Sequence, residues 1–304
     1  MPTNCWYICN VMSHLIDNII SFLDANGFSC SHMTEAGIEA IRVDMQDGTR
    51  RIILPLEISA KTEVEAKSQA DERWRFIASH SGEHPLIITE DRWHSQRECM
   101  EARILAHLEV FKPIYARNCE IRRIDKDEAR DFLEKNHSYG HAVCRYCYGL
   151  FFKRHTGHIA RNAEADNEGH IMPGQLMAVA TFSNARKWIK GDKVIKSYEW
   201  TRYASLPQVR LSGGMGRMLK AFIKDVQPDD IMSYADLEWS EGDVYRQLGF
   251  ELEDKKEPVI FRISKDWQRV PVKGGSFTDT QDDDIRHFLN FGSNKYRLKL
   301  TDYE

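Results

Sequence analysis

The stretch Asn136 to Cys147 reads NHSYGHAVCRYC and gathers histidine, tyrosine and cysteine side chains in one short run. His137 and His141 stand four apart, a spacing that lets two imidazoles share one helix face, and Cys144 and Cys147 form a Cys-x-x-Cys pair. Two His and two Cys are a sufficient tetrahedral zinc set. Closed zinc sites, however, take their ligand pairs from two separated elements, and this set lies within one. Cys144 and Cys147 also run straight into the apolar segment RYCYGLFF, where strand alternation is expected to put them on opposite faces. The other two readings are a polar loop without chemistry and the mouth of an active site. In the last, His137 is a candidate general base, because imidazole titrates near neutral pH. Asp236, in SYAD, is a carboxylate that could orient that base.

A second chemical signal lies downstream. Gly213, Gly214 and Gly216 open an apolar-periodic segment, LSGGMGRMLKAF, that reads as a helix. Backbone amides left bare at a helix start form an anion cradle that suits a diphosphate. A strand segment, SYEWTRYAS, precedes it, and another, DDIMSYADLEW, follows, ahead of Tyr245-Arg246-Gln247-Leu248-Gly249-Phe250.

This order resembles the GNAT acyltransferase superfamily, over about Cys119 to Ile263. The resemblance implies a mixed α/β fold and an acetyl-CoA or other acyl-CoA donor. It implies donor binding by Arg210, Gly213, Gly214, Gly216 and Arg217, although Met215 stands where the family has a small residue. It implies that Tyr245 protonates the departing thiolate as general acid, that His137, Tyr139 and Asp236 work on the acceptor side, and that a backbone amide of SYEWTRYAS steadies the oxyanion. NHSYGH, YEWTRYAS, SYAD and VYRQLGF together also resemble phage and mobile-element relatives: Mom-like DNA-modification proteins and the GNAT-like part of homing-endonuclease-like proteins. Segments like Glu90 to Ile104 and Ile285 to Leu298 flank that part in the second group. The implied partner is DNA, with a nucleobase amine as acceptor. The alternative is a DNA-binding or DNA-cleaving protein whose GNAT-like module is not catalytic.

Three regions must position these residues. Residues 1–112 read as a small α/β unit of helix, strands, helix, strand, helix, with a hairpin turn at Asp47-Gly48. That order suits a restriction-endonuclease-like unit, in which Asp44 and Glu57 across the hairpin would hold Mg²⁺. The partner lysine slot holds Ser59, with Lys61 two residues on, which favours a non-cleaving docking module. Residues 113–265 form the GNAT-like domain, with Asp125 expected to cap a helix over DKDEARDFLEKNH. Residues 266–304 are expected to pack on it as an extension ending in the strand-like KYRLKLT.

Composition bounds the rest. The chain has 304 residues, 42% hydrophobic and 29% charged, as soluble globular proteins do. Nothing approaches the ~20 apolar residues of a membrane span. Seven cysteines, odd in number and scattered, suit reduced thiols and a cytoplasmic protein. The net charge of −4 does not advertise nucleic-acid binding, yet Arg186 to Lys196, RKWIKGDKVIK, is locally basic.

Overall fold

The computed structural model describes residues 15–83, 85–153, 171–207, 209–272 and 284–303. The polar, glycine-containing stretch Arg154 to Gly174, which reads as a long hairpin loop, lies mostly outside them.

The N-terminal unit begins with α1, Leu15–Ala25, whose buried Leu15, Ile16, Ile19 and Leu23 form one helical stripe. Three antiparallel strands follow: β1 Cys30–Glu35, β2 Ile38–Asp44 and β3 Arg50–Leu56. Helix α2, Glu63–Ser79, capped by the Thr62 side chain, crosses over so that β4, Leu86–Thr89, pairs parallel with β3. Strand β3 is buried on both faces, and its period of two sorts the contacts. Ile53 faces α1 and the helices after β4, which are α3, Glu90–Ser95, and α4, Arg97–His107. Ile52, Leu54 and Leu56 face the other way, toward Phe76 of α2 and toward Ile263 and Phe288. These last two come from a three-stranded sheet formed late in the chain by β14 Ile260–Ile263, β15 Arg269–Pro271 and β16 Arg286–Leu289. The N-terminal core is therefore completed by residues some 200 positions later.

The larger body is a mixed sheet in the order β13-β17-β12-β10-β8-β7-β6, with β9 paired to β10. Strand β5 is Lys112–Tyr115 and β6 is Cys119–Arg123; α5, Lys126–Asn136, is capped by Asp125, which accepts from the Glu128 N–H at 2.8 Å. Next come β7 Tyr146–Phe152, β8 Leu176–Phe182, β9 Arg186–Lys190 and β10 Lys193–Ser205. Strand β11, Val209–Ser212, leads into α6, Gly214–Val226. Strand β12 is Asp230–Asp236, α7 is Asp243–Gln247, β13 is Glu251–Lys256 and β17 is Ser293–Lys299. Strand β17 sits inside the sheet, antiparallel to both β12 and β13, so the end of the chain is part of the framework. On the other side α6 buries Met218, Leu219 and Phe222, and the Phe222 ring stacks on Phe182 at 3.9 Å.

The hairpin geometry corrects the expected metal pair. Asp44 lies opposite Arg50 at the turn end of β2 and β3, 3.4 Å from its guanidinium. Glu57 follows β3 at the other end, seven residues along from Arg50, or roughly 20 Å at strand rise. These two carboxylates do not share a cation. Among the described residues no group of three or more His, Cys, Asp or Glu side chains is placed to hold a metal. No described helix is long and apolar enough to cross a membrane.

Because α6 is held to the sheet through Phe222, the Phe222→Ala variant should unfold with about 3–5 kcal/mol less stability in a urea titration, and Phe222→Leu with a smaller loss.

Candidate active site

Strands β10 and β12 run parallel but stay together only briefly. Their register covers Ser197, Tyr198 and Glu199 against Asp230, Ile231 and Met232, and then the ladder ends. Strand β10 also bulges against β8 between Trp200 and Arg202. The two strands separate there, and a cavity of about 510 Å³ opens between their C-terminal halves. Parallel sheets place ligands at such strand ends, where backbone groups lose their neighbour. His137, Tyr139, Asp236 and Tyr245 all line this cavity, and Met215 reaches it from the glycine-rich helix start.

The acid side is Tyr245. Its ring lies face to face with Tyr296 at 5.4 Å and edge-on to Trp200 and Phe250. Gly249 takes a φ of +86°, which lets the Phe250 N–H return to the Tyr245 carbonyl at 3.0 Å and ends α7 tightly. Ser233 Oγ lies 3.0 Å from the Trp200 carbonyl and 2.8 Å from Tyr245 Oη. A carbonyl only accepts and serine has one hydrogen. The Trp200 carbonyl and Tyr245 Oη therefore compete for that one hydrogen, which Ser233 donates. Burial pushes the Tyr245 hydroxyl above its ordinary pKa, with Ser233 working against it. The phenol stays protonated at neutral pH.

The opposite wall carries Asp236, Tyr139 and His137. Asp236 Oδ1 accepts the Glu238 N–H at 2.9 Å. Its Oδ2 lies 3.9 Å from Arg92 Nη2, longer than a hydrogen bond. Burial, then the charge of Glu238, raise the Asp236 carboxyl above the ordinary range, which makes it the stronger base. His137 has a different part from the one expected. Its Nδ1 accepts the Tyr139 N–H at 3.0 Å, so Nε2 carries the ring hydrogen. Burial, then Arg202 and Arg92, push its pKa down to about 3. His137 is thus held neutral, with its Nε2–H as a hydrogen-bond donor.

What holds this wall is an ion cluster that the sequence did not disclose. Glu238, 2% exposed, receives Arg269 Nη1 at 2.8 and 3.1 Å and Arg92 Nε at 3.2 Å. Arg269 also clamps Asp91 and donates to Thr89 Oγ1 at 2.9 Å. Arg92 Nη1 and Gln96 Nε2 both donate to the Ser138 carbonyl, at 3.2 and 2.9 Å, and the Arg92 guanidinium lies 4.8 Å from the Tyr139 ring centre. Arg202 Nε holds the Gly140 carbonyl at 3.1 Å. The N-terminal unit thus fixes the loop carrying His137 and Tyr139. Burial alone would raise Glu238, but the charges of Arg269 and Arg92 outweigh it and hold the carboxyl below the ordinary range.

The donor-side residues are distributed differently. Gly213 has a φ of +79°, caps α6 without a side-chain hydrogen bond, and a Cβ there would meet nothing within 4 Å. Gly214 and Gly216 serve packing instead. A Cβ on Gly214 would sit 3.0 Å from Tyr203 Oη, and one on Gly216 would sit 3.1 Å from Leu248 Cδ2. Arg217 is spent on the carbonyls of Ala116 and Cys119, and Arg210 lies 4.9 Å over the Phe111 ring. The Cys pair also departs from expectation. Strand β7 starts at Tyr146, so Cys144 precedes it and folds back, leaving the two Sγ atoms 3.4 Å apart.

The Glu238→Gln variant should lose about 3–5 kcal/mol of stability, since both arginines then face a neutral amide in the interior. The pH dependence has a defined sign. Glu238 and Asp91 both have lowered folded pKa values, so their contribution is present above the ordinary carboxylate range. It is lost as pH falls below about 4 through the folded values. Thermal melts at descending pH should fall more steeply for the wild type than for Glu238→Gln.

No protein-family model matches the chain, and no curated protein does. Solved structures similar to it include the following three. Eis1 from Mycobacterium abscessus has a TM-score of 0.32 and 15% identity, covering 48% of this chain and 34% of that one. The structure of yncA, a putative acetyltransferase from Salmonella typhimurium with its cofactor acetyl-CoA, has a TM-score of 0.33 and 13% identity, covering 61% and 95%. A putative acetyltransferase of the GNAT family from Desulfovibrio desulfuricans has a TM-score of 0.33 and 11% identity, covering 60% and 99%. The chain spans about a third of the length of Eis1.

Proposed function

We propose that this protein is a GNAT-like acyltransferase that moves an acyl group from a CoA-type donor to an amine. The observation that carries the reading is the cavity at the β10–β12 split. It joins Tyr245, whose ring is half-buried, to an Asp236 with raised basicity, and it reaches Met215 at the start of α6. Residues far apart in sequence meet where two parallel strands part, and one can give a proton while the other takes one.

The residues fit a CoA-type donor at one point. The open left-handed turn at Gly213 and the uncapped amides after it accept an anion, while Arg210 and Arg217 are engaged elsewhere. Bound acyl-CoA would supply an activated thioester with a thiolate leaving group. Tyr245 then holds the proton the sulfur needs, with Ser233 fixing the hydroxyl. Asp236 receives the proton of the attacking amine. His137 Nε2–H and the free edge of β10 beyond Glu199 offer donors to the developing oxyanion. Tyr139 gives the acceptor an aromatic face. The acceptor to which the sequence resemblance points is a nucleobase amine in DNA, handled as Mom-like proteins handle theirs. The separation of Asp44 from Glu57 weighs against the DNA-cleaving alternative.

Acetyl-CoA at 100 times its Kd should stabilise the protein by about 2.7 kcal/mol in a thermal-shift assay. Tyr245→Phe should keep that shift and lower kcat by about 10²–10⁴-fold. Asp236→Asn should remove the acid limb of the rate profile, a limb that sits above the ordinary carboxylate range because Asp236 is raised. No shift with acetyl-CoA, or an unaltered kcat in Tyr245→Phe, would sink the reading.

A further inference from the structure

The β9–β10 hairpin has a charge arrangement that the acyl-transfer reading does not use. The register sets Lys190 opposite Lys193 and Lys187 opposite Lys196, with Ile189 opposite Val194 between them. Like charges directly across a strand pair repel, so the lone protein gains nothing from this pairing. Arg186 adds a fifth cation, and Asp192 in the turn is the only acid from Arg186 to Lys196. Among the described residues, no ion pair neutralises Arg186, Lys187, Lys190 or Lys196, all exposed, and Lys193 donates only to the Asp302 carbonyl at 2.9 Å. The nearby Asp229 carboxylate is occupied by the Lys196 backbone N–H at 2.7 Å and the Thr301 hydroxyl at 3.1 Å.

The two faces of the ribbon differ. Trp188 and the buried Ile195 turn inward, and Trp188 meets Tyr303 edge-on at 5.4 Å. Outward lie Lys187, Ile189, Val194 and Lys196, with Ile189 75% and Val194 56% exposed. Two aliphatic side chains therefore face solvent beside the Lys187–Lys196 pair, while Lys190 and Lys193 lie on the other face of the ribbon next to the turn.

We infer that this hairpin binds duplex DNA, entering the major groove with Ile189 and Val194 toward the base edges and the lysines on the flanking phosphates. Charge complementarity selects a polyanion. The ribbon shape selects the B-form major groove, which admits a two-stranded β-ribbon, over duplex RNA, whose deep narrow groove does not. From Lys193 to Trp200 is seven strand residues, roughly 20 Å, so a duplex seated here passes near the cavity. The inference extends the acyl-transfer reading to a partner without depending on it, since binding is measured with no acyl donor present.

The test is fluorescence anisotropy with a short mixed-sequence DNA duplex across a salt series. Wild-type protein should bind. Lys187→Ser/Lys196→Ser should weaken binding at least ~10-fold and reduce the slope of log Kobs against log salt by about 2, near 0.9 for each lost phosphate contact. Ile189→Ser/Val194→Ser should weaken binding with the slope unchanged. Both variants alter exposed side chains, and unchanged melting temperatures would confirm that they fold. An unaltered affinity in the lysine variant, equal affinity for duplex RNA, or tighter binding to phosphatidylcholine–phosphatidylserine vesicles than to DNA would overturn the inference. Loss of acetyltransferase activity in Tyr245→Phe with DNA binding intact would separate the two proposals.

Discussion

Glu238 is removed from water yet charged, because Arg269 lies against both of its oxygens and Arg92 against one. An ion in that position is costly unless its partners stay in place. Its partners come from parts of the chain far apart. Arg92 precedes it by 146 residues and Arg269 follows it by 31. Arg269 in turn grips Asp91, 178 positions away. Displacing any one of these segments would leave a buried charge uncompensated. The N-terminal sheet, the end of β12 and the three-stranded sheet are thereby locked in one arrangement. Such clusters often add little net stability compared with apolar packing. What this one supplies is a fixed geometry for Arg92, and through Arg92 for the Ser138 carbonyl and the Tyr139 ring.

Local signals in the sequence were readable because they depend on neighbours along the chain. Asp125 caps α5 as its spacing to Glu128 implies, and Tyr245 meets Phe250 because Gly249 sits between them. The four residues assigned to chemistry do converge on one cavity. Strand β1 was missed because CSHMTE is an edge strand with no buried residue, so no alternation marks it. The run after Thr89 forms two helices, since Gln96 leaves helical geometry between them and sends its side chain to the Ser138 carbonyl. The ion cluster could not be read at all. Charges so distant in sequence have no periodicity, and their burial is a property of the assembled fold.

The same distinction bears on two titratable groups of the cavity. Histidine titrates near neutrality in water, so His137 is the natural base on paper. In the fold two arginines and burial hold it neutral, and the Tyr139 N–H occupies the nitrogen that would take a proton. Asp236 is an ordinary acid on paper. Beside Glu238, out of water, it holds its proton more tightly. Environment has reversed the usual order of their proton affinities, as happens wherever neighbouring titratable groups sit in different surroundings. Gly214 and Gly216 show a parallel substitution of purpose. They look like a bare anion cradle, but their missing Cβ atoms make room for Tyr203 and Leu248, and only Gly213 stays open.

The two walls of the cavity consequently differ in origin. Ser233 belongs to β12 and Tyr245 to α7, which the sheet holds in place with Tyr296 of the inserted β17 stacked behind the phenol. His137 and Tyr139 sit on a loop outside regular structure, and a loop alone is a poor support for a proton donor. That loop is tied down through its carbonyls, by Arg92 and Gln96 at Ser138 and by Arg202 at Gly140. Two of those three anchors come from α3 and the residue that ends it, in the N-terminal unit. A site accurate to within a hydrogen-bond length needs both walls fixed relative to each other. The N-terminal unit therefore belongs to the geometry of the cavity, whether or not it also meets another molecule.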